Sequence, residues 1–260
     1  MKLTGAIPSS DPRDCDFHRS DVYAGAAPEQ VRDYDFRHLH TWRVQHAPSC
    51  VAYSMVAKAQ MLAKAQGSSL PLLCANWNWT GARMAARPPA PGDRLVIGGT
   101  SGHFNMAHAR YRGFKTEDVF PDVPENHDRV PPALAWGIPA VARLGRWSRI
   151  KGENDPATLR DGILNAFRLL ERGQCSPPGA VIEVGTGYDA LRDGEAWDGQ
   201  LGAAWGFHDQ AIVAYRESDD CVAFASTWGG ERLFWMPVTL LASRGSWFSV
   251  IESLVYPELP

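Results

Sequence analysis

Beginning at Cys50, apolar residues recur at Ala52, Met55, Val56, Ala59, Leu62 and Ala63, the three-and-four spacing of a helix with one buried face. Lys58 and Lys64 fall outside that stripe. Ser49 suits the N-cap and Pro48 cannot extend the helix backwards, so Cys50 is expected in the first turn, near the positive end of the helix dipole. A second helix is predicted over 70–86, carrying Leu73, Trp77 and Met84 and broken by the proline-rich run at 87–92. A short helix over 104–112 ends at Gly113, and Asp155 and Pro156 open another whose apolar positions are Leu159, Ile163, Ala166, Phe167 and Leu170, closed by Gly173. After that the period changes. Segments 180–184, 210–215, 221–225, 232–236 and 247–251 read as strands. Helices followed by strands argue an α+β fold of two lobes, a helical one over about 28–140 and an antiparallel β lobe over about 141–260, with a cleft between them. Prolines 121, 124, 131, 132 and 139 mark the crossing, and residues 1–27 read as an irregular leader lying on the body.

Composition narrows the function classes. With 260 residues, 45% of them hydrophobic, the chain has ample material for a core. Its net charge of -3, with 26 basic residues scattered along the chain, leaves no electrostatic footprint for nucleic acid. No apolar run is long enough to cross a bilayer, and the start lacks the apolar core of a signal peptide. A cytoplasmic or virion-associated protein is the expectation. Cysteines 15, 50, 74, 175 and 221 form neither a CxxC pair nor a zinc pattern, so reduced, buried thiols are expected. His38 and His40 lack acidic or cysteine company and are read as solvated or packed, with no metal site. The glycine-rich run 98–102 lacks the lysine of a phosphate-binding loop, and no cofactor is expected.

Taken alone, a cysteine on an apolar helix is core. A cysteine nucleophile also needs a base, a group that orients the base and donors aimed at the oxyanion. Gln45 precedes Cys50 by five residues, and His208 sits at the mouth of a predicted strand after a glycine-containing turn. In chain order, the blocks Asp35-Phe36-Arg37 with Gln45 and Cys50-Val51-Ala52-Tyr53-Ser54, then Gly98-Gly99-Thr100-Ser101, then His208 with Ile212-Val213-Ala214-Tyr215, then Ser226-Thr227-Trp228-Gly229-Gly230, resemble the papain family of cysteine peptidases, in the divergent form found in bacteria and their phages.

The resemblance covers about residues 28–255. It implies that Cys50 attacks the scissile carbonyl of a peptide or protein substrate and that His208 protonates the leaving amine. It further implies that Gln45, with the Cys50 backbone N–H, holds the oxyanion, that Gly98 and Gly99 pair with extended substrate, and that Trp228 shields the pair. Three departures stand out. Ser226 takes the place where an asparagine usually orients the histidine, and Ala47 that of a frequent disulfide cysteine. The leader is also shorter than the family's folded inhibitory propeptide. The alternatives are a papain-like structural or binding component with weakened chemistry, for example in a phage particle, and another thiol chemistry such as acyl transfer or peptidoglycan amide cleavage.

Overall fold

The computed structural model describes residues 6–7, 31–90, 93–228 and 231–257. In chain order its elements are β1 (Ala6–Ile7), β2 (Tyr34–Asp35), α1 (Cys50–Ala65), α2 (Ala75–Ala86), β3 (Thr100–Ser101), α3 (Gly102–Tyr111) and α4 (Ala133–Gly137). The second half adds β4 (Arg143–Ile150), α5 (Pro156–Glu171), β5 (Gly179–Gly185), α6 (Thr186–Asp189), β6 (Ala204–Arg216), β7 (Cys221–Ser226), β8 (Arg232–Pro237), α7 (Val238–Arg244) and β9 (Gly245–Val255). The sheet runs β3-β1-β6-β5-β9-β4, with β2 and β7 also on β6 and β8 on β7. The long pairings are antiparallel, and β1 lies parallel to β3. The fold is α+β, as the change of period implies.

Helix α1 starts at Cys50, where the pattern puts it, but two details differ from expectation. The Ser49 hydroxyl makes no capping bond and donates to the Ala47 carbonyl at 3.2 Å. Burial is also not confined to one stripe, because every residue from Cys50 to Ala63 is buried, Lys58 included. The reason is that α1 is shared by two cores. Val51, Ala52, Met55 and Val56 pack with Trp79 of α2 and Met106 of α3, whereas Ala57 and Met61 join Ile163 and Phe167 of α5 and Ile212 of β6. Lys64 is exposed, as expected.

Elsewhere the caps move the boundaries. Helix α2 begins at Ala75 because residues 70–74 are extended, with Leu73 bridged to Thr116, and the Cys74 sulfur caps it by accepting from the Trp77 N–H at 3.2 Å. Ser101 starts α3 two residues early by accepting from the Phe104 N–H at 3.4 Å. Asp155 caps α5 through the Thr158 N–H at 3.1 Å. Strand β4 is absent from the sequence reading: its arginines at 143, 146 and 149 and its glycine at 145 dilute the apolar alternation, while β9 pairs with it from end to end. Of the leader, residues 6–7 form β1, and the rest of 1–27 lies outside the described residues, as do Pro91, Gly92, Gly229 and Gly230.

Gly113 ends α3 at φ +75°, a conformation that side chains resist, and an added Cβ would stand 2.5 Å from the Ala140 Cβ and 2.8 Å from the Ala142 carbonyl oxygen. Gly113→Ala should therefore destabilise the protein by at least about 1 kcal/mol. An unchanged urea unfolding midpoint would show that the turn relaxes without cost.

Candidate active site

Cys50 is the first residue of α1 and is fully buried. Just ahead of it the chain is pinned from the β side. The Gln45 backbone N–H donates to the Thr227 carbonyl at 3.0 Å, and the Thr227 hydroxyl donates to the Gln45 side-chain oxygen at 2.7 Å. One N–H of the Gln45 amide donates to the Ala47 carbonyl at 2.8 Å. Thr227 thus fixes which end of the amide carries the donors. Sequence reasoning treated Thr227 only as part of a block; a hydroxyl beside a predicted orienting residue was the available signal.

His208 lies within β6 rather than at its mouth, opposite Ile182 of β5. Alternation along the strand sends it to one face and Asp209 to the other. On its own face the His208 ring stacks on Trp228, with centroids 4.1 Å apart at 26°. The ring is fully buried, and burial alone pushes its pKa down to about 3, so it is neutral. Neither ring nitrogen has a hydrogen-bond partner among the described residues, so neither Ser226 nor Cys50 holds the ring by a hydrogen bond. The Ser226 hydroxyl instead accepts from the Trp228 backbone N–H at 3.0 Å. Serine's short side chain closes a local turn here and does not reach the imidazole.

The glycine pair is half-buried on the loop before β3. The Gly98 carbonyl accepts from the Trp79 indole at 2.9 Å, and a Cβ on Gly98 would meet nothing within 4 Å. Nothing among the described residues requires a glycine there. Arg83 stiffens this loop by stacking on Trp79 at 3.7 Å and donating to the Val96 carbonyl at 3.0 Å. Next to it, β1 lies between the two sides: Ala6 pairs with Thr100 and with Phe207, the residue before His208, and Ile7 pairs with Ser101.

Cysteines 50, 74, 175 and 221 are buried and outside any disulfide, and Cys15 lies outside the described residues. Among the described residues no three His, Cys, Asp or Glu side chains cluster to hold a metal ion, and His40 packs edge-on against Trp42 at 4.7 Å. No helix among them is long and apolar enough to cross a membrane. An open cavity of about 490 Å³ is lined by Arg32, Tyr34, Phe36, Leu39, Ala65 and Glu171, at the end of α1 remote from Cys50.

Among solved structures, xylellain, a cysteine protease from Xylella fastidiosa, superposes with a TM-score of 0.73 over 96% of this chain and 96% of its own at 16% identity. The fold is papain-like. Procathepsin B from Trypanosoma congolense agrees, with a TM-score of 0.67 over 99% of this chain and 87% of its own at 15% identity. Bromelain from Ananas comosus, in complex with the E64 inhibitor, gives 0.59 over 89% and 100% at 14% identity. No protein-family model matches the sequence, and no curated protein matches it. A papain-like fold at such low identity rests on pattern and packing rather than on shared residues.

Among the described residues burial lowers the pKa of three histidines, His208 to about 3 and His40 and His108 to about 4, and so keeps them neutral. Each is protonated more readily in the unfolded chain, whose histidines titrate near about 6.5. Their contribution is therefore complete above that pH and declines as pH falls toward 4. Stability should drop by about 1.4 kcal/mol per pH unit for each histidine through that window. Calorimetry between pH 7 and 4.5 checks this: the wild type should lose stability with falling pH, and His108→Gln should lose it less steeply.

Proposed function

We propose that the protein is a cysteine-type peptidase that cleaves peptide bonds within extended polypeptide. The observation carrying this reading is that α1, which opens with Cys50, packs against β6, which holds His208. A cysteine at a helix N-terminus and a histidine on the strand packed beside that helix support a reading in which they act as nucleophile and base.

In this reading the Cys50 sulfur attacks the scissile carbonyl carbon and its proton passes to His208. The carbonyl oxygen gains the negative charge, held by the Gln45 amide and the Cys50 backbone N–H. As the C–N bond breaks, His208 returns the proton to the leaving amine, and a water then hydrolyses the thioester. Thr227 serves the oxyanion site indirectly, because its hydroxyl holds the amide oxygen of Gln45 and so turns the amide nitrogen the other way. Gly98 and Gly99 offer backbone suited to the close approach of an extended chain, with open space above Gly98. Strand β1 supports this choice of substrate, because a stretch of extended backbone already lies between β3 and β6.

A second reading, a papain-like structural or binding component with weakened chemistry, is favoured by one observation. The His208 ring has no acceptor among the described residues, and the hydroxyl of Ser226 is committed to Trp228. Hydrogen bonds in resting sites are often loose and tighten only with substrate, which keeps the first reading ahead.

The wild type should cleave fluorescein-labelled casein, and iodoacetamide should label Cys50. Cys50→Ala should abolish both with the unfolding midpoint unchanged. A wild type inert in both assays selects the second reading.

Ser226→Asn supplies the missing acceptor. Its kcat should rise about ten- to a hundredfold if orientation of the imidazole limits turnover. Equal rates for this variant and the wild type would mean that stacking on Trp228 orients the ring sufficiently.

A further inference from the structure

Two residues ahead of Gln45 stands Arg43, a cation whose side chain is only 12% exposed, so that its charge depends on protein partners. It has three. One nitrogen of the guanidinium donates to the Leu73 carbonyl and another to the Glu117 carboxylate, both at 2.6 Å. The centre of the group lies 4.9 Å from the middle of the Tyr53 ring, which stands on α1 one turn after Cys50. Arginine joins a charge, a planar fork of donors and a face that stacks on aromatic rings. All three are used here.

Each partner is itself held. Leu73 is bridged to Thr116, and the Cys74 backbone N–H donates to the Lys115 carbonyl at 2.8 Å. The Glu117 backbone N–H donates to the Leu72 carbonyl at 2.8 Å, while the carboxylate oxygen that Arg43 leaves free accepts from the Asp122 N–H at 3.1 Å. The Tyr53 hydroxyl donates to the Asp122 carboxylate. The fork therefore enters a receptor whose parts are already fixed.

From Arg43 to Gln45 the chain spans at most about 7 Å. At the far end of that step the Gln45 backbone N–H is bonded to the Thr227 carbonyl, and its side-chain oxygen accepts from the Thr227 hydroxyl. Gln45 is thus held from two directions, by Thr227 just past β7 and by Arg43 through the loops at 73 and 117 and the helix that opens with Cys50. We propose that Arg43 is a positioning residue of the oxyanion site, setting where the Gln45 amide stands relative to the Cys50 backbone N–H. The inference rests on the peptidase reading above. An oxyanion donor acts only within about 2.7–3.1 Å of the oxygen on which charge develops, and a misplacement of about 1 Å costs on the order of a hundredfold in rate. Thr227 sets which way the amide faces. Arg43 sets how its backbone stands against the nucleophile's helix, and in this scheme it touches neither substrate nor reacting atoms.

The test asks whether Arg43 acts through Gln45. Gln45→Ala removes the donor and should lower kcat on fluorescein-labelled casein about a hundredfold. Arg43→Met keeps most of the stem and removes the fork, and it should lower kcat at least tenfold with KM within about twofold, since transition-state placement and not binding is lost. In the Gln45→Ala background the same substitution should change kcat less than about twofold, because the group it places is gone. Alkylation of Cys50 by iodoacetamide is a displacement at saturated carbon that forms no oxyanion. Arg43→Met should therefore keep the wild-type labelling rate. If Arg43→Met does not fold, Glu117→Gln, which keeps the partner's shape and removes its charge, carries the same cycle with the same expected pattern. Equal losses in both backgrounds, slowed labelling, or wild-type kcat in the single variant would show a clamp that only stabilises the fold, and would overturn the inference. Each of those outcomes is read against an active wild type. A wild type that cleaves no casein instead overturns the peptidase reading, and the inference with it.

Discussion

Burial of α1 on every side is the constraint on which the rest of the molecule depends. A helix between two cores needs partners for its polar groups, because an unpaired buried group costs on the order of 1–3 kcal/mol, and on α1 most find them, although among the described residues the Gln60 side-chain oxygen does not. Tyr53 meets this by donating to Asp122, whose other oxygen lies 2.7 Å from the His127 ring, with the Val44 carbonyl 3.1 Å from the same hydroxyl. Gln60 donates to the Pro71 carbonyl at 3.3 Å. Lys58 reaches into the sheet. The segment leading into the helix is fastened in the same way, with Arg43 donating to the Leu73 carbonyl and pairing with Glu117, both at 2.6 Å. Helix α1 and the segment before it are thus held by partners from the loops around residues 71–73 and 117–122 and from β9.

Strand β6 divides the interior by alternation. His208 and Gln210 share one face, where Gln210 donates to the Tyr188 hydroxyl at 2.6 Å and Tyr188 in turn packs edge-on against Trp228 and Trp197. Asp209 points to the other face, opposite Val181, which belongs to the core that contains Cys50. One strand therefore gives an aromatic enclosure to the imidazole and, on its other face, a buried carboxylate. A shift of one residue in register would exchange the two.

The elements most legible in the sequence were those whose signals are local. The spacing after Cys50, the Asp155 cap with Gly173, and the β-branched runs of the second half each correspond to an observed helix or strand. The position of Lys58 was misread because helical spacing describes a single buried face, and only the presence of a second core shows that the opposite side is covered too. Strand β4 escaped because its partner β9 lies about a hundred residues away and supplies the pairing that the arginines conceal. At the candidate site, Gln45, Cys50, His208 and Trp228 could be named from order and residue type. That Ser226 serves the Trp228 backbone, and that Thr227 holds the Gln45 amide, depends on the path of a turn that no periodicity encodes.

The two residues of β1 carry a consequence for anything that approaches the same edge. Ala6 and Ile7 take ladder positions against both Thr100–Ser101 and Phe207, so another extended segment can occupy that place only by displacing them. Their competitor is at a disadvantage that dilution does not remove. A segment of the same chain returns at an effective concentration that does not fall on dilution. The apparent affinity of an incoming peptide is then its intrinsic affinity reduced by the fraction of molecules in which β1 has left. A segment could take this slot only by pairing with both edges better than Ala6 and Ile7 do.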